Sequence, residues 1–326
     1  MIWAIATLAC VGSATGVVLI LRSGRHWALD VPNDRSLHSK PTPRTGGLAI
    51  MGAFALAFAL TAWRFDHAPL QVVVLAFVLA GVSLIDDRAG LPIRVRLAVH
   101  VLAAALGCAW LLGDGSPWLM LAATLALVAM TNFFNFMDGA NGLAGGMAVA
   151  GFGSYGIAAW NVDPGLAATA LALAAAAAGF LVFNLAGRIF MGDGGSIPLG
   201  FLAAALGLEG WRRGLWPAWF PPLAFASFVV DATLTLARRI LRRERFWEAH
   251  REHYYQRLVR SGWSHARLAV WEYVLMLACA LAALVAREGP GTQRIIAFAA
   301  VAICLVLACA LTDLRWYRHQ ARHSYP

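Results

Sequence analysis

The chain has 326 residues, 60% of them hydrophobic and only 13% charged, with a mean hydropathy of +0.66. A soluble domain usually carries about 25% charged residues, so this composition excludes an ordinary water-soluble fold and points to lipid as the solvent. The formal net charge of +9 would suit nucleic acid, but the arginines sit in short loops between apolar runs. That pattern fits the positive-inside bias and attraction to anionic lipid or phosphate substrates; membrane lipids are expected partners and nucleic acid is not.

Eleven apolar runs follow one another, at 2–21, 46–63, 69–85, 95–112, 117–134, 143–160, 165–184, 196–210, 215–236, 267–286 and 294–312. They predict an all-α polytopic membrane protein of about 11 transmembrane helices, forming a single integral-membrane domain over residues 1–326. The run 196–210 is the weakest, with Gly200 and Gly207 inside it. The first run has no basic stretch before it and Arg22 and Arg25 after it, the reverse of a cleaved signal peptide, so it reads as a retained helix with its N-terminus outside. Alternation then places the loops around 22–45, 86–94, 132–142, 185–195 and 237–266 and the tail after 312 on one side. Counting Arg96 and Arg267 with the loops they border, that side holds 21 of the 26 Lys and Arg residues. The expected orientation is therefore loops and C-terminus in the cytoplasm of a bacterial inner membrane. Cys10, Cys108, Cys279, Cys304 and Cys309 all fall within apolar runs without C-x-x-C spacing and read as packing residues, not disulfides or zinc ligands.

Five polar clusters occupy the expected cytoplasmic segments. Lys40-Pro-Thr-Pro-Arg44-Thr-Gly46-Gly47 offers a stiff loop, a cation and glycines that let backbone approach a ligand; it also suits a plain helix-entry loop. Asp86-Asp87-Arg88 ends the third run with two adjacent carboxylates, which repel and need a cation nearby. In Asn132-Phe-Phe-Asn135-Phe-Met-Asp138-Gly-Ala-Asn141-Gly142, the spacing of three puts Asn132, Asn135 and Asp138 near one helix face, where amides and a carboxylate are costly unless they bind something. Asn184 precedes Phe190-Met-Gly192-Asp193-Gly-Gly-Ser196, a glycine-flanked carboxylate before a helix, suited to phosphate amide contacts and to a cation but lacking the ending of a P-loop. The long segment 237–266 carries five arginines and then His250-Arg-Glu-His253-Tyr-Tyr. The two histidines could share a helical face, but their order does not match H-E-x-x-H, and arginine with histidine suits a diphosphate grip. A basic amphipathic helix on anionic lipid is the plain alternative. Hard oxygen ligands together suit Mg²⁺, with Mn²⁺ as a substitute, held by few protein groups and by substrate phosphates.

The order D-D, N-x-x-N-x-x-D-G-x-N-G, F-M-G-D-x-G-S and a histidine-bearing last loop resembles the polyprenyl-phosphate N-acetylhexosamine-1-phosphate transferase superfamily (glycosyltransferase family 4). The resemblance covers nearly the whole chain, from D-V-P-N-D-R-S-L-H-S-K-P-T-P-R-T-G-G to H-R-E-H-Y-Y-Q-R. It implies transfer of a sugar-1-phosphate from a UDP-amino-sugar donor to undecaprenyl phosphate with release of UMP; members of the family often form homodimers, although the sequence itself is silent on oligomeric state. By the same resemblance, Asp86 and Asp87 match the catalytic acidic pair near the lipid phosphate, and Asn135 and Asp193 match the Mg²⁺ ligands. Asn141 matches the residue near the uracil, Arg44 lies in the loop that meets the lipid phosphate, and His250 and His253 match residues around the donor. Asp138, Asn184 and Asp231 fall at family-typical positions whose roles the resemblance does not separate, Asp138 and Asn184 being counted with the substrate-binding residues. The branch that transfers phospho-MurNAc-pentapeptide has a denser histidine run in the last loop, so H-R-E-H-Y-Y favours the branch that starts O-antigen or related surface polysaccharides. A transporter, the reading from another class, should carry its polar residues near the midplane on broken helices; here they lie at one face.

Overall fold

The computed structural model describes residues 1–24, 28–32, 37, 40–113, 115–245, 248 and 250–323. Arg25, Asn33–Ser36 and His38–Ser39, which the sequence reading used, lie outside the described residues. In chain order the elements are α1 (Ile2–Ser23), β1 (Leu29–Asp30), β2 (Thr42–Pro43), α2 (Gly46–Arg64), α3 (Leu70–Ala89), α4 (Ile93–Leu112), α5 (Pro117–Phe136), α6 (Leu143–Ala159) and α7 (Pro164–Leu185). They continue with α8 (Asp193–Arg212), α9 (Phe220–Ala224), α10 (Ala226–Leu241), α11 (Tyr254–Arg260), α12 (His265–Glu288) and α13 (Gly291–His323). The protein is an all-α polytopic membrane protein; its one sheet among the described residues is the two-residue antiparallel pair β1–β2.

Eight of these helices, α1 to α5, α7, α12 and α13, are long and apolar enough to cross a membrane. The other three expected spans fall on less regular elements. The run 143–160 is the 17-residue α6, short but almost wholly buried. The run 196–210 lies in α8, which carries Asp193, Glu209, Arg212 and an internal Pro198. The run 215–236 divides at Phe225 into α9 and the amphipathic α10.

Small residues let the interior helices approach. A Cβ at Gly16 would stand 3.1 Å from the Ala49 Cβ, and one at Gly179 would collide with the backbone carbonyl of Cys10, so α1 lies against both α2 and α7. An aromatic layer of Phe134, Phe152, Tyr155, Phe220, Phe225 and Phe228 fills the space between α5, α6, α9 and α10.

Polar contacts collect at the two ends of the bundle. At one end Arg213 donates to Asp163 Oδ2 (2.6 Å), to the His67 carbonyl (2.8 Å) and to Glu209, joining the α2–α3, α7 and α8 boundaries. Arg287 donates to the Leu215 carbonyl (2.9 Å). At the other end the loops after α1, α3, α5, α7 and α10 meet, and Arg315 of α13 binds the Ser261 carbonyl (2.6 Å). The loops that alternation assigned to one side thus converge on one end, the end rich in cations. That bias predicts that reporter fusions at Gly115 and Pro290 score as external and one at Ser261 as internal; an internal score at Gly115 would overturn the orientation.

Candidate active site

The cation-rich end is organised by backbone contact between two glycine-bearing segments. Gly46 N–H donates to the Phe190 carbonyl (2.9 Å), Gly47 N–H to the Met191 carbonyl (2.8 Å), and Phe190 N–H to the Pro43 carbonyl (2.7 Å). A side chain at Gly47 would collide with the backbone of Gly194 and Gly195. Gly192 has φ +70° and faces the Arg44 carbonyl without room for a Cβ. The glycines expected to admit a ligand therefore admit the neighbouring chain. Their effect is to set the first turn of α8, with Asp193, directly beside Arg44.

Around this junction five of the expected residues come together. Arg44 Nη2 pairs with Asp87 Oδ1 at 3.2 Å. Asn135, at the end of α5, donates its amide to Asp193 Oδ1 (2.9 Å) and to Ser196 Oγ (3.0 Å). Arg96, at the start of α4, bridges Asp86 Oδ2 (3.0 Å) and Asp193 Oδ2 (3.5 Å). The sequence reading counted Arg96 only as a loop cation. Its signal was position: one turn into a helix that follows an acidic pair.

The two adjacent aspartates differ. Asp86 has both oxygens engaged, Oδ1 accepting from Leu91 N–H (2.6 Å) and Oδ2 facing Arg96, so it closes the α3–α4 turn. Asp87, whose side chain is only 5% exposed, meets Arg44 through Oδ1; its Oδ2 has no partner among the described residues. Asp138 is half-buried on the α5–α6 loop. Burial, then the nearby Asp193 carboxylate, pushes its carboxyl well above the usual carboxylate range, against a hydrogen bond from the Gly192 amide.

Asn184 takes a different part from the one expected. It is buried, its Oδ1 accepts from Gly142 N–H (2.7 Å), and its Nδ2 donates to the Ile189 carbonyl (2.8 Å). Its amide is engaged by two loop backbones, so it helps to shape the site. Asn141 is half-buried above it. The Asn141 N–H points at His265 Nδ1 (3.4 Å), and the other ring nitrogen of His265 lies 3.0 Å from the Leu37 carbonyl. His265, first residue of α12, thus ties the first loop to the third. No sequence motif singled it out.

His250 and His253 do not share a helical face. His253 is the N-cap of α11 and His250 precedes the helix, yet their rings stack with centroids 4.9 Å apart. His253 is buried, and its Nδ1 lies 3.0 Å from Asp231 Oδ1. An ionised Asp231 accepts there, which puts the ring proton on Nδ1 and leaves Nε2 for another partner. Asp231 also accepts from Tyr254 N–H (3.0 Å), Tyr255 N–H (3.1 Å) and Thr235 Oγ1 (3.1 Å). It thereby satisfies the first amides of α11, which a helix start otherwise leaves open. Tyr255 Oη donates to the Phe136 carbonyl (3.0 Å), docking the last loop on the end of α5, next to Asn135. The His250 imidazole is pushed down to about 4, first by burial and then by His253 and Arg239. With no phosphate bound it is neutral near pH 7.

Among the described residues no three His, Cys, Asp or Glu side chains stand close enough to hold a metal ion by themselves. The donor set that does converge is hard: the Asp193 carboxylate, the Asn135 amide and the Ser196 hydroxyl, with Asp87 within electrostatic reach. Such a set fits a cation that takes one or two protein ligands and fills its shell with water and phosphate oxygens.

The sequence profile of "Glycosyl transferase family 4" matches residues 69–210, from the start of α3 into α8. The chain is similar to the decaprenyl-phosphate N-acetylglucosaminephosphotransferase of Mycobacterium tuberculosis, 32% identical, over 80% of this chain and 76% of the relative. It is similar to the undecaprenyl-phosphate alpha-N-acetylglucosaminyl 1-phosphate transferase of Yersinia pestis, 29% identical over 79% and 75%. The protein of that name from Escherichia coli K12 is 27% identical over 78% and 74%.

Two outcomes follow from the histidine loop. Asp231→Ala leaves the buried His253 and two amides without their acceptor, which costs about 1–3 kcal/mol; hydrogen exchange should speed up at the Tyr254 and Tyr255 amides, and unchanged exchange would contradict the capping role. His250 carries a folded-state value near 4 against an ordinary 6.5, so the unfolded chain binds more protons between these values. Stability should fall as pH drops through that window, and His250→Gln should flatten the slope.

Proposed function

The chain belongs to the polyprenyl-phosphate N-acetylhexosamine-1-phosphate transferase superfamily, glycosyl transferase family 4, and from that premise we propose how its residues divide the work. It is a membrane sugar-1-phosphate transferase acting on a polyprenyl phosphate. The finer reading is that the donor is a UDP-N-acetylhexosamine and the acceptor undecaprenyl phosphate. UMP leaves, and the step opens O-antigen or related surface polysaccharide synthesis on the cytoplasmic side of a bacterial inner membrane. The observation that carries this reading is the convergence of Arg44, Asp87, Asn135 and Asp193 at one end of a lipid-embedded bundle.

The acceptor's phosphate oxygen must be deprotonated and aligned with the β-phosphorus of the donor. Asp87 suits the proton acceptor because its Oδ2 is free of described partners, while Arg44 holds its other oxygen and is placed to meet the acceptor phosphate. Asp86, committed to Leu91 and Arg96, positions this pair. Asn135 and Asp193 would hold a Mg²⁺ or Mn²⁺ ion, whose charge would offset that of the donor diphosphate. Asn141, on the loop between α5 and α6, is assigned to the nucleotide base by the resemblance to the family, and His253, which Asp231 holds, to the donor's phosphates or sugar. An apolar cavity of about 460 Å³ between α5, α8, α9 and α10 includes Met130 and Phe133, the latter two residues before Asn135; it has the character needed for part of a polyprenyl chain.

Purified protein with undecaprenyl phosphate, Mg²⁺ and a panel of UDP-N-acetylhexosamines should release UMP, and EDTA should abolish it; full turnover in EDTA would remove the metal role. Asp87→Asn should lower kcat by about 10²–10⁴-fold, the usual worth of general-base catalysis. Asn141→Ala should raise the donor KM by roughly 2- to 13-fold with kcat little changed, as for loss of one hydrogen bond of ~0.5–1.5 kcal/mol made equally in ground and transition states. Steady-state kinetics with the two effects exchanged would reverse the assignment.

A further inference from the structure

Outside the site just described, the end of α10, the connection to α11, α11 itself and the last turns of α13 enclose an open pocket of about 340 Å³. Arg242, Arg251, Arg257 and Arg260 line it, with Glu252 and Trp316. Carboxylates are too few here. Asp313 is shared by Arg238, through both oxygens (2.9 and 2.7 Å), and by Arg257 (3.0 Å). Glu252 is shared by Arg239 (2.7 Å) and Arg242 (3.3 Å), and Glu244 by the same two (2.9 and 3.8 Å). Among the described residues, Arg260 has only the Arg251 carbonyl (2.9 Å) and the face of Trp316 (4.7 Å). The Arg251 guanidinium has no acceptor among the described residues. Like charges crowd the pocket: burial, then Arg251, pushes the Arg260 guanidinium below its ordinary value.

The pocket adjoins the last turns of α13, a helix long and apolar enough to cross a membrane. Along α13, the exposed Val306 shares a helical face with Asp313 and with Gln320 of the pocket, and Tyr317 is exposed beside Trp316. On α10, Ile240 and Leu241 are exposed next to Arg242. An apolar rim leading to an uncompensated arginine cluster matches a molecule with a phosphate at one end and hydrocarbon at the other.

We propose that this pocket binds the phosphodiester of an anionic phospholipid, gripped by Arg251, Arg260 and Arg242, with its acyl chains along α10 and α13. Charge-assisted hydrogen bonds from several guanidiniums to one phosphate supply the specificity. The bound lipid braces α11, whose N-cap is His253, and so ties the histidine loop to the membrane surface. The site is distinct from the reaction centre and does not depend on which sugar is transferred.

The test uses the full-length chain in detergent, titrated with short-chain phosphatidylglycerol and, separately, phosphatidylcholine, with bound lipid counted by native mass spectrometry. Phosphatidylglycerol should bind and phosphatidylcholine should not compete. At roughly 1 kcal/mol per arginine, Arg251→Gln should weaken binding about five-fold and Arg251→Gln with Arg260→Gln about thirty-fold, with thermal unfolding in phosphatidylcholine unchanged. Because the Arg251 side chain holds no described partner, the single variant decides the matter even if the double variant fails to fold. Equal affinity for the two lipids, or unweakened binding in Arg251→Gln, overturns the proposal. So does displacement of the lipid by inorganic phosphate at matching concentration, which would assign the pocket to free phosphate.

Discussion

The arrangement of the charged groups depends on how closely two backbones can pass. The segment Pro43–Gly47 and the segment Phe190–Gly195 exchange three main-chain hydrogen bonds, and neither tolerates a side chain where Gly47 meets Gly195. That contact fixes the entry of α2 against the entry of α8, so Arg44 and Asp193 arrive at the same place from opposite ends of the sequence. Once Asp193 is set, Asn135 and Arg96 reach it from α5 and α4. Four carboxylates, those of Asp86, Asp87, Asp138 and Asp193, then share one end of an apolar bundle. Mutual repulsion and poor solvation make this costly without cations. Two arginines, Arg44 and Arg96, answer part of that need.

Much of this was legible in the chain itself. Apolar runs and the bias of Lys and Arg gave an all-α membrane protein whose loops alternate, and the contacts at each end of the bundle agree with that alternation. The order of the polar motifs pointed to the superfamily. Within the site, Arg44, Asp87, Asn135 and Asp193 were named from motifs and do meet. The less regular elements were harder to read, for physical reasons. Hydropathy registers composition and not continuity, so it could not show that Phe225 interrupts the run 215–236, or that α6 ends at 17 residues.

The roles that the sequence does not show depend on long-range contacts. Asp231 lies mid-helix in α10, and nothing nearby in sequence shows that its carboxylate will cap α11, more than twenty residues on. His265 and Arg96 were similarly silent, because their partners are loops joined only in the fold. Asn184 shows the converse: its chemistry suggested a substrate, whereas its surroundings assign it to two backbones. The histidines illustrate a third limit. Periodicity offered a shared helical face, but a helix that begins at Tyr254 places one of them as its cap and stacks the other upon it.

The close packing of α1 against α7 also bears on how the protein is made. About 140 residues separate Ser23 from Pro164, so α1 leaves the ribosome well before one of its main neighbours. At a synthesis rate of ~5–20 residues per second, α1 waits about 7–30 s in the bilayer, held on one side by α2 alone. During that interval the small residues destined for α7, Cys10 and its neighbours among them, face lipid or the insertion machinery. A bulky residue there would slow the late closure of the bundle even where the finished protein had room to accommodate it.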